Sequence, residues 1–149
     1  MDLITGATGF IGGHLARRLV SDGRAVRVLS RPGSAARLPA ELAGRVDVAL
    51  GDLRDRDSLG RAARGTARVF HCAGHVSDWG SDEAYAATNV EGTRWLVAAA
   101  RAGGARRLVH LSSIAAFGTP APAYFDDDSP PARPARRTAR CSPPPRSGW

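Results

Sequence analysis

Short apolar segments alternate with segments of helical periodicity over the first 118 residues. The apolar segments, four to six residues long and rich in Val, Ile and Leu, are typical of buried strands. They predict five strands, at 2–5, 25–30, 46–50, 68–72 and 107–111. Apolar positions at helical spacing predict helices between these strands, at 9–20, 57–63 and 83–101, with a weaker one at 35–42.

The alternation of strands and helices indicates an α/β fold. Strands that are separated by helices favour a parallel sheet with right-handed crossovers and helices on both faces. We therefore predict a Rossmann-type, doubly wound sheet with strand order 3-2-1-4-5, which is incomplete because no sixth strand is recognised. Ligand sites in such sheets arise beside strand one, where the strand order reverses.

The composition changes near residue 119. Residues 130–149 hold six of the ten prolines and no Val, Ile, Leu, Met or Phe. Such a segment buries too little apolar area to offset its ordering entropy. We predict a folded domain over 1–118 and a Pro/Arg-rich, disordered tail over 119–149.

The charge is strongly basic, with a formal net charge of +7 that comes from 21 arginines and no lysine. A nucleic-acid binder is one interpretation, but the nine aromatic residues fall mostly in apolar patterns and offer no recognition surface. We therefore expect no nucleic-acid partner. The two cysteines, Cys72 and Cys141, are far apart and predict neither a disulfide framework nor a metal site.

The sequence gives no membrane or export signal. No stretch approaches the roughly 18 apolar residues of a membrane span, and no signal-peptide pattern is present. We expect a cytoplasmic protein without a membrane partner.

A glycine-rich turn directly follows the first predicted strand. Gly6, Gly9 and Gly12 have the spacing G-x-x-G-x-x-G and lead into the first helix. A pyrophosphate binds backbone N–H groups at a helix N-terminus, and it needs a close approach without intervening Cβ atoms. Gly6 would form the tight turn, Gly9 the close approach and Gly12 the packing of helix on strand. A turn without a ligand is the alternative, but the strand before it and the helix after it favour a dinucleotide.

Five motifs in order resemble the extended branch of the short-chain dehydrogenase/reductase superfamily. That branch includes sugar-nucleotide epimerases and dehydratases together with 3β-hydroxysteroid dehydrogenase and dihydroflavonol reductase types. Residues 77–80 (SDWG) lean toward the steroid-dehydrogenase-like subset. The resemblance covers the N-terminal half of the family pattern only, in TGATGFIG (5–12), GDLRD (51–55), HCAG (71–74), NVEGT (89–93) and VHLSSIAAFG (109–118).

The resemblance implies an NAD(P) cofactor and a set of residues that contact it. At the end of strand two an acidic residue would favour NAD, whereas an arginine favours the 2′-phosphate of NADP. This chain has Ser30 and Arg31 there, so we predict NADP over NAD, the alternative being that Arg31 is a solvated loop residue. The implied cofactor-binding residues are Thr5, Gly6, Thr8, Gly9, Phe10, Ile11, Gly12, Ser30, Arg31, Asp52, Leu53, Ala73, Gly74 and Ser112.

Two pairs of these residues have specific expected roles. By resemblance, Asp52 would accept a hydrogen bond from the adenine amino group and Leu53 would pack on the ring. The alternative for Asp52 is a helix cap, a role that Asp55 or Asp57 could equally fill. Ala73 and Gly74 are small enough to let the dinucleotide lie across the sheet edge.

Other polar residues carry weaker expectations. His71 alternates with apolar strand residues and is expected in the core, whereas His75 and Asp78 lie in a loop where substrates could bind. The resemblance implies that Asn89 links its helix to the neighbouring strand by hydrogen bonds. Gly92 would allow close helix packing.

The catalytic machinery of the family is matched only in part. Ser113 matches the serine that holds the reacting carbonyl or hydroxyl, but it cannot abstract a proton unaided. The family also uses a Tyr-x-x-x-Lys relay. This chain has no lysine, and its two tyrosines, Tyr85 and Tyr124, are not placed for that role. We interpret the sequence as a truncated or frameshifted copy.

Two functions follow from the resemblance. One is the NAD(P)-binding half of an oxidoreductase or epimerase acting on a hydroxyl or carbonyl substrate, with a homodimer possible in the full-length family. The other is a non-catalytic dinucleotide-binding module or redox sensor. A second polypeptide that supplies the tyrosine helix would also fit, and no residue identifies the substrate.

Overall fold

The structure is a computed structural model that describes residues 1–76, 81–117, 126 and 128–130. The chain divides into two compact units, Met1–Leu111 and Ser112–Trp149. The first contains five strands, β1 (Asp2–Thr5), β2 (Val26–Ser30), β3 (Asp47–Leu50), β4 (Arg68–His71) and β5 (Arg107–His110). Its α-helices are α1 (Phe10–Ser21), α2 (Arg56–Ala63), α3 (Asp82–Tyr85) and α4 (Gly92–Ala102).

The sheet has the predicted topology. Its five strands are all parallel, in the order β3-β2-β1-β4-β5. All four residues of β1 are buried, as the central position of this strand requires. The register places Thr5 of β1 beside His71 of β4, and His71 beside His110 of β5. These three side chains therefore form one row across the sheet.

Two apolar clusters cover the two faces of the sheet. Successive residues of a strand point to opposite faces, so the neighbours Leu3 and Ile4 join different clusters. The cluster of Leu3 includes Leu59 of α2 and Leu96 of α4, and that of Ile4 includes Leu19 of α1. Helices thus pack on both faces, which confirms the doubly wound α/β architecture.

The segment that predicts one long helix is helical throughout, but its hydrogen bonding changes in the middle. A π-helical turn over Ala86–Glu91 separates α3 from α4. Within this turn Asn89 donates from Nδ2 to the carbonyl of His75 (3.0 Å) and accepts at Oδ1 from the amide of His75 (2.6 Å). Asn89 therefore has the predicted structural hydrogen-bonding role, but its partner is the loop after β4 and not the strand itself.

The weak helix predicted at 35–42 forms two short 3₁₀ turns, Ala35–Arg37 and Ala40–Leu42. Pro39 lies between them, and Leu38 before it is extended, with φ −62° and ψ 143°. A residue that precedes proline is disfavoured in helical geometry. The proline therefore prevents a continuous helix here.

Part of the second unit is described. It contains a 3₁₀ turn at Ile114–Phe117, and Ser129 donates to Asp126 Oδ1 over 2.8 Å. Asp78, Tyr124 and the tail predicted to be disordered lie outside the described residues, apart from 126 and 128–130 of that tail. No helix in the described part of the chain is both long and apolar enough to cross a membrane.

A buried ionic cluster of Asp2, Arg24 and Arg68 lies at the amino-terminal ends of β1, β2 and β4. Asp2 is 2% exposed and accepts hydrogen bonds from Arg24 Nε (2.6 Å) and Arg68 Nε (3.1 Å). We expect Asp2→Ala to lower the free energy of unfolding by about 2 kcal/mol, below the cost of breaking a fully buried pair, because both arginines can rehydrate. Urea unfolding measures the loss.

Asp47→Ala is the matched control for Asp2→Ala. Asp47 accepts from Arg27 Nε over 2.7 Å, but half of its side chain is exposed. An exposed pair contributes at most about 1 kcal/mol. Equal losses in the two variants would contradict the assignment of Asp2 as a buried ionic centre.

Candidate functional site

A cavity of about 570 Å³ opens at the carboxyl ends of the four strands β1 to β4. Its walls come from the residues that follow each strand, which places it where the strand order reverses beside β1. This is the location that the fold favours for a ligand. The lining residues are Thr5, Gly6, Thr8, Gly9, Leu29, Ser30, Arg31, Ser34, Gly51, Asp52, Leu53, Arg54, Cys72, Ala73, Gly74, His75, Val76, Ala84 and Thr88.

The structure brings most of the predicted cofactor residues to this cavity. Phe10, Ile11 and Gly12 instead form the first turn of α1 beside it, where the side chains of Phe10 and Ile11 are exposed. Ser112 and Ser113 begin the second unit, so their roles stay predictions. The predicted residues that line the cavity are Thr5, Gly6, Thr8, Gly9, Ser30, Arg31, Asp52, Leu53, Ala73 and Gly74.

The glycine-rich turn is closed by contacts that only glycine permits. Gly6 has φ +78°, and a Cβ atom there would lie 2.7 Å from the amide nitrogen of Ala73. A Cβ atom on Gly12 would lie 2.3 Å from the carbonyl oxygen of Gly6. Gly9 meets only that same oxygen, at 3.3 Å. The turn therefore packs tightly against α1 and against the residues that follow β4, and it is less crowded at Gly9.

The N-terminus of α1 lacks the side-chain cap that α2 and α3 have. Its N-cap residue is Gly9, no side chain caps it, and its first turn holds no acidic residue. By contrast, Asp55 caps α2 and Ser81 caps α3. The first backbone N–H groups of α1 and the positive end of its dipole thus remain available to an anion.

Two arginines line the cavity at the ends of β2 and β3. Arg31 follows Ser30 directly, and none of the cavity residues at the end of β2 is acidic. Arg54 donates from Nε to Asp52 Oδ1 over 3.2 Å. The cavity is therefore positively charged at this end, apart from the carboxylate of Asp52.

Asp52 is not the cap of the following helix. The cap of α2 is Asp55, whose Oδ1 accepts from the amides of Asp57 (3.0 Å) and Ser58 (3.2 Å). Asp52 Oδ1 accepts from the amide of Arg54 over 2.9 Å, and Asp52 is one of the residues that line the cavity. The alternative role of Asp52 as a helix cap is therefore wrong, whereas Asp55 fills that role.

His71 lies in the core below the cavity, as its strand pattern predicts. It is 1% exposed, and its ring lies 5.1 Å from that of His110. Burial, assisted by the charge of His110, lowers the pKa of His71 to about 4. His71 is therefore neutral at physiological pH. His75 lines the cavity, with its ring 4.5 Å from that of Tyr85.

Several cavity residues are not identifiable from sequence periodicity. Thr88 reaches the lining from the π-helical turn, and Arg54 reaches it from the loop after β3. Cys72 lines it as the first residue after β4, and burial raises the pKa of its thiol. Arg54 within the GDLRD motif and Cys72 within the HCAG motif offered a signal in the sequence, whereas Thr88 lies outside the motifs.

Gly92 makes the close packing that was predicted for it. A Cβ atom on this residue would lie 2.9 Å from Cβ of Leu53, which lines the cavity. The first turn of α4 therefore supports the loop after β3 directly.

Comparisons with known proteins agree with this geometry. Residues 3–140 match the NAD dependent epimerase/dehydratase family. Sterol demethylase protein B of Methylococcus capsulatus is 44% identical over 118 residues, which are 78% of this chain and 35% of that protein. UDP-glucose 4-epimerase of Mycolicibacterium smegmatis is 40% identical over 141 residues, which are 89% of this chain and 45% of that protein.

A solved structure of the same superfamily has a similar fold. A short-chain dehydrogenase/reductase superfamily protein from Agrobacterium tumefaciens with bound NAD superposes with a TM-score of 0.73 at 32% identity. The match covers 89% of this chain and 39% of that one. The chain thus spans between about a third and a half of the length of these relatives.

Proposed function

The chain belongs to the NAD dependent epimerase/dehydratase family of the short-chain dehydrogenase/reductase superfamily, and we propose that residues 1–118 bind an NAD(P) dinucleotide. The observation that carries this proposal is the glycine cradle beside the uncapped N-terminus of α1. A Cβ atom at Gly6 or Gly12 would collide with backbone atoms, so these glycines allow the turn to pack tightly against the start of α1 and the residues after β4. Gly9, the N-cap residue, places no side chain in front of the uncapped N–H groups where a pyrophosphate would approach. The residues present therefore fit the cofactor.

The lining residues divide into regions that suit the parts of a dinucleotide. The amides at the start of α1, in Phe10, Ile11 and Gly12, would bind the pyrophosphate. Asp52 would accept from the adenine amino group, with Leu53 against the ring. The small residues Ala73 and Gly74 leave space for the chain of the dinucleotide along the end of β4.

The chemistry of the whole protein is part of the same proposal. A bound nicotinamide accepts or returns a hydride, so the family relationship favours an oxidoreductase or epimerase acting on a hydroxyl or carbonyl group. Ser113 would orient that group. We expect the 149-residue chain to bind dinucleotide without turnover, because it contains no lysine for a Tyr-x-x-x-Lys relay. NADPH oxidation measured beside a binding titration tests this expectation, since turnover would contradict it and would exclude the non-catalytic alternative.

Protection of Cys72 tests whether a dinucleotide binds in this cavity. In a Cys141→Ser background, Cys72 is the only thiol, and it lines the cavity. We expect NADPH to slow its alkylation by a maleimide at alkaline pH, which is needed because burial raises the pKa of this thiol and leaves little thiolate near neutrality. AMP and nicotinamide mononucleotide serve as partial ligands. Unchanged alkylation at concentrations of NADPH that saturate other dinucleotide-binding proteins would contradict the proposal.

We further propose that NADP binds more tightly than NAD. Arg31 lies at the end of β2, where a 2′-phosphate would be recognised, and Ser30 stands in place of a carboxylate. We expect Arg31→Ala to weaken NADPH binding by about 10-fold or more, the value of a charge-assisted hydrogen bond, and to change NADH binding little. Calorimetric titrations with both cofactors measure the difference.

Arg45→Ala is the control for Arg31→Ala. Arg45 is exposed, carries the same charge and is not among the residues that line the cavity. Its replacement reports the effect of overall charge alone. Tighter binding of NADH than of NADPH by the unmodified chain would overturn the preference.

A further inference from the structure

A series of hydrogen bonds runs below the cavity from β4 through β1 to the π-helical turn. The amide of Ala73 donates to Thr5 Oγ1 (3.2 Å), and Thr5 Oγ1 lies 2.7 Å from His71 Nδ1. On the other side of the ring, His71 Nε2 lies 2.9 Å from Thr93 Oγ1. Thr93 Oγ1 in turn donates to the carbonyl of Asn89 (2.8 Å).

The arrangement of partners selects one tautomer of His71. Thr93 has a single hydroxyl hydrogen, which it donates to the carbonyl of Asn89, so Nε2 of His71 must carry the proton that it shares with Thr93. Nδ1 is then an acceptor, and the hydroxyl of Thr5 donates to it while accepting from the amide of Ala73. The Nδ1–H tautomer would leave the hydroxyl hydrogen of Thr5 without an acceptor and break the bond to Asn89.

One end of this series is part of the cavity wall, and the other end, Asn89, directly follows a residue of the wall. Ala73 and Thr5 line the cavity, and so does Thr88, the residue before Asn89. The side chain of Asn89 also clamps the backbone of His75, another lining residue. His71 and Thr93 themselves do not line it. They connect walls that come from three different elements.

We propose that His71, as the neutral Nε2–H tautomer, is a positioning residue that sets the spacing of the dinucleotide cavity through Thr5 and Thr93. The inference rests on the proposed function, because it concerns how the cavity is prepared for the same cofactor. Its action is indirect, since no atom of His71 lies in the cavity lining. The neutral ring holds the strand ends and the π-helical turn at one fixed separation.

The surroundings of His71 preserve this state. The titratable group that faces it in the described part of the chain is His110 on β5, with its ring at 5.1 Å. The partners from β1 and α4 are the hydroxyls of Thr5 and Thr93, which do not titrate in the accessible range. The full burial of His71 favours the neutral ring over the imidazolium form.

Replacement of Thr93 tests the proposal away from the cavity. Thr93→Val keeps the shape of the side chain but removes the hydroxyl, whereas Thr93→Ser keeps the hydroxyl. We expect Thr93→Val to weaken NADPH binding about 10-fold, the value of one hydrogen bond, because the loss of the bond to His71 Nε2 releases the π-helical turn from the strand ends. Thr93→Ser should bind NADPH with nearly the affinity of the unmodified chain.

The tautomer itself gives a readout that a merely structural role would not change. In long-range ¹H–¹⁵N spectra, assigned by comparison with His71→Asn, we expect the Nε2–H pattern in the unmodified chain and in Thr93→Ser. Thr93→Val should shift His71 toward Nδ1–H. Thr66→Val is the matched control, since Thr66 is another buried threonine whose hydroxyl donates to a carbonyl, that of Ala63 (2.8 Å). It should change neither the tautomer nor the affinity.

The outcomes separate this inference from the proposed function. If the unmodified chain binds NADPH and Thr93→Val binds it equally well, or if His71 is the Nδ1–H tautomer, the positioning role is overturned and the proposed function stands. If the unmodified chain shows the Nε2–H tautomer but binds no dinucleotide, both are overturned. Weaker binding in Thr93→Val that Thr93→Ser restores, together with the tautomer shift, supports the proposal.

Discussion

Gly12→Ala is expected to remove NADPH binding and to destabilise the fold. The added Cβ atom would lie 2.3 Å from the carbonyl oxygen and 2.7 Å from the carbonyl carbon of Gly6, and neither backbone atom can turn away as a side chain would. Either α1 or the glycine-rich turn must move. We expect a loss of about 3 kcal/mol in the free energy of unfolding, at the upper end of the cost of overpacking.

Gly12→Ala should also weaken binding, in addition to its effect on stability. The displaced turn would no longer direct the amides of α1 toward the pyrophosphate, so all the hydrogen bonds from these amides to the pyrophosphate would weaken. We expect NADPH affinity to fall at least about 100-fold, the equivalent of two or more lost charge-assisted hydrogen bonds. Calorimetry measures the affinity and urea unfolding the stability.

Gly60→Ala is the matched control for this substitution. Gly60 also lies inside a helix, α2, but a Cβ atom there would meet nothing within 4 Å. Alanine is a better helix former than glycine, so this variant should gain up to about 1 kcal/mol and bind NADPH unchanged. If Gly12→Ala bound NADPH as well as Gly60→Ala, the glycine cradle would not be the binding site.

The positions of the strands could be predicted from the sequence to within one residue, because the strands coincide with short apolar segments. β1 matches its prediction at both ends, and β2 to β5 differ by one residue at one end. The parallel order follows from the alternation of strands with helices, since crossovers on both faces favour this arrangement. These features depend on local pattern and on general rules of connection.

The hydrogen bonding of the middle of the long helix could not be predicted because it depends on distant partners. The spacing of apolar residues over 83–101 favours one helix, and no local signal marks a π-helical turn. The turn contains Asn89, whose side chain bonds to the backbone of His75, fourteen positions earlier in the chain. Such a contact becomes visible only when β4 and the helix are placed together.

The outline of the cavity could be predicted from the sequence, but part of its lining could not. The motifs mark the residues that directly follow the strands, and ten of the fourteen predicted cofactor residues line it. Thr88 and Cys72 were missed because their position depends on the π-helical turn and on the exact end of β4. The hydrogen bond between Thr5 and His71 requires the register of β1 against β4, which the sequence does not specify.

The second large effect is a loss of stability at acidic pH that His71 causes. Its pKa is lowered from 6.5 in the unfolded chain to about 4 in the folded protein, by burial first and by the charge of His110 second. Because the folded pKa is the lower one, the unfolded chain takes up the proton first as the pH falls. The neutral form stabilises the fold fully above pH 6.5, and this contribution is lost as the pH falls toward 4.

The size of this loss follows from the linkage between protonation and folding. The displacement of the pKa corresponds to a loss on the order of 3 kcal/mol in the free energy of unfolding by about pH 4. Urea unfolding at several pH values measures it. Carboxylates also titrate in this range, so the prediction concerns the difference between the unmodified chain and His71→Asn, in which residue 71 cannot titrate.

The comparison with His71→Asn tests the direction in which His71 changes the free energy of unfolding as the pH falls. The variant loses hydrogen bonds at every pH and should be less stable near pH 7, but its stability should fall less steeply on acidification. The two curves should therefore converge as the pH falls from 6.5 toward 4. Parallel curves over this interval would show that His71 is protonated equally in the folded and unfolded chain and would contradict its lowered pKa. His110→Gln should raise the folded-state pKa of His71 somewhat, because it removes the smaller, electrostatic cause of the lowered pKa and leaves burial in place. The loss of stability on acidification should then be complete at a higher pH than in the unmodified chain.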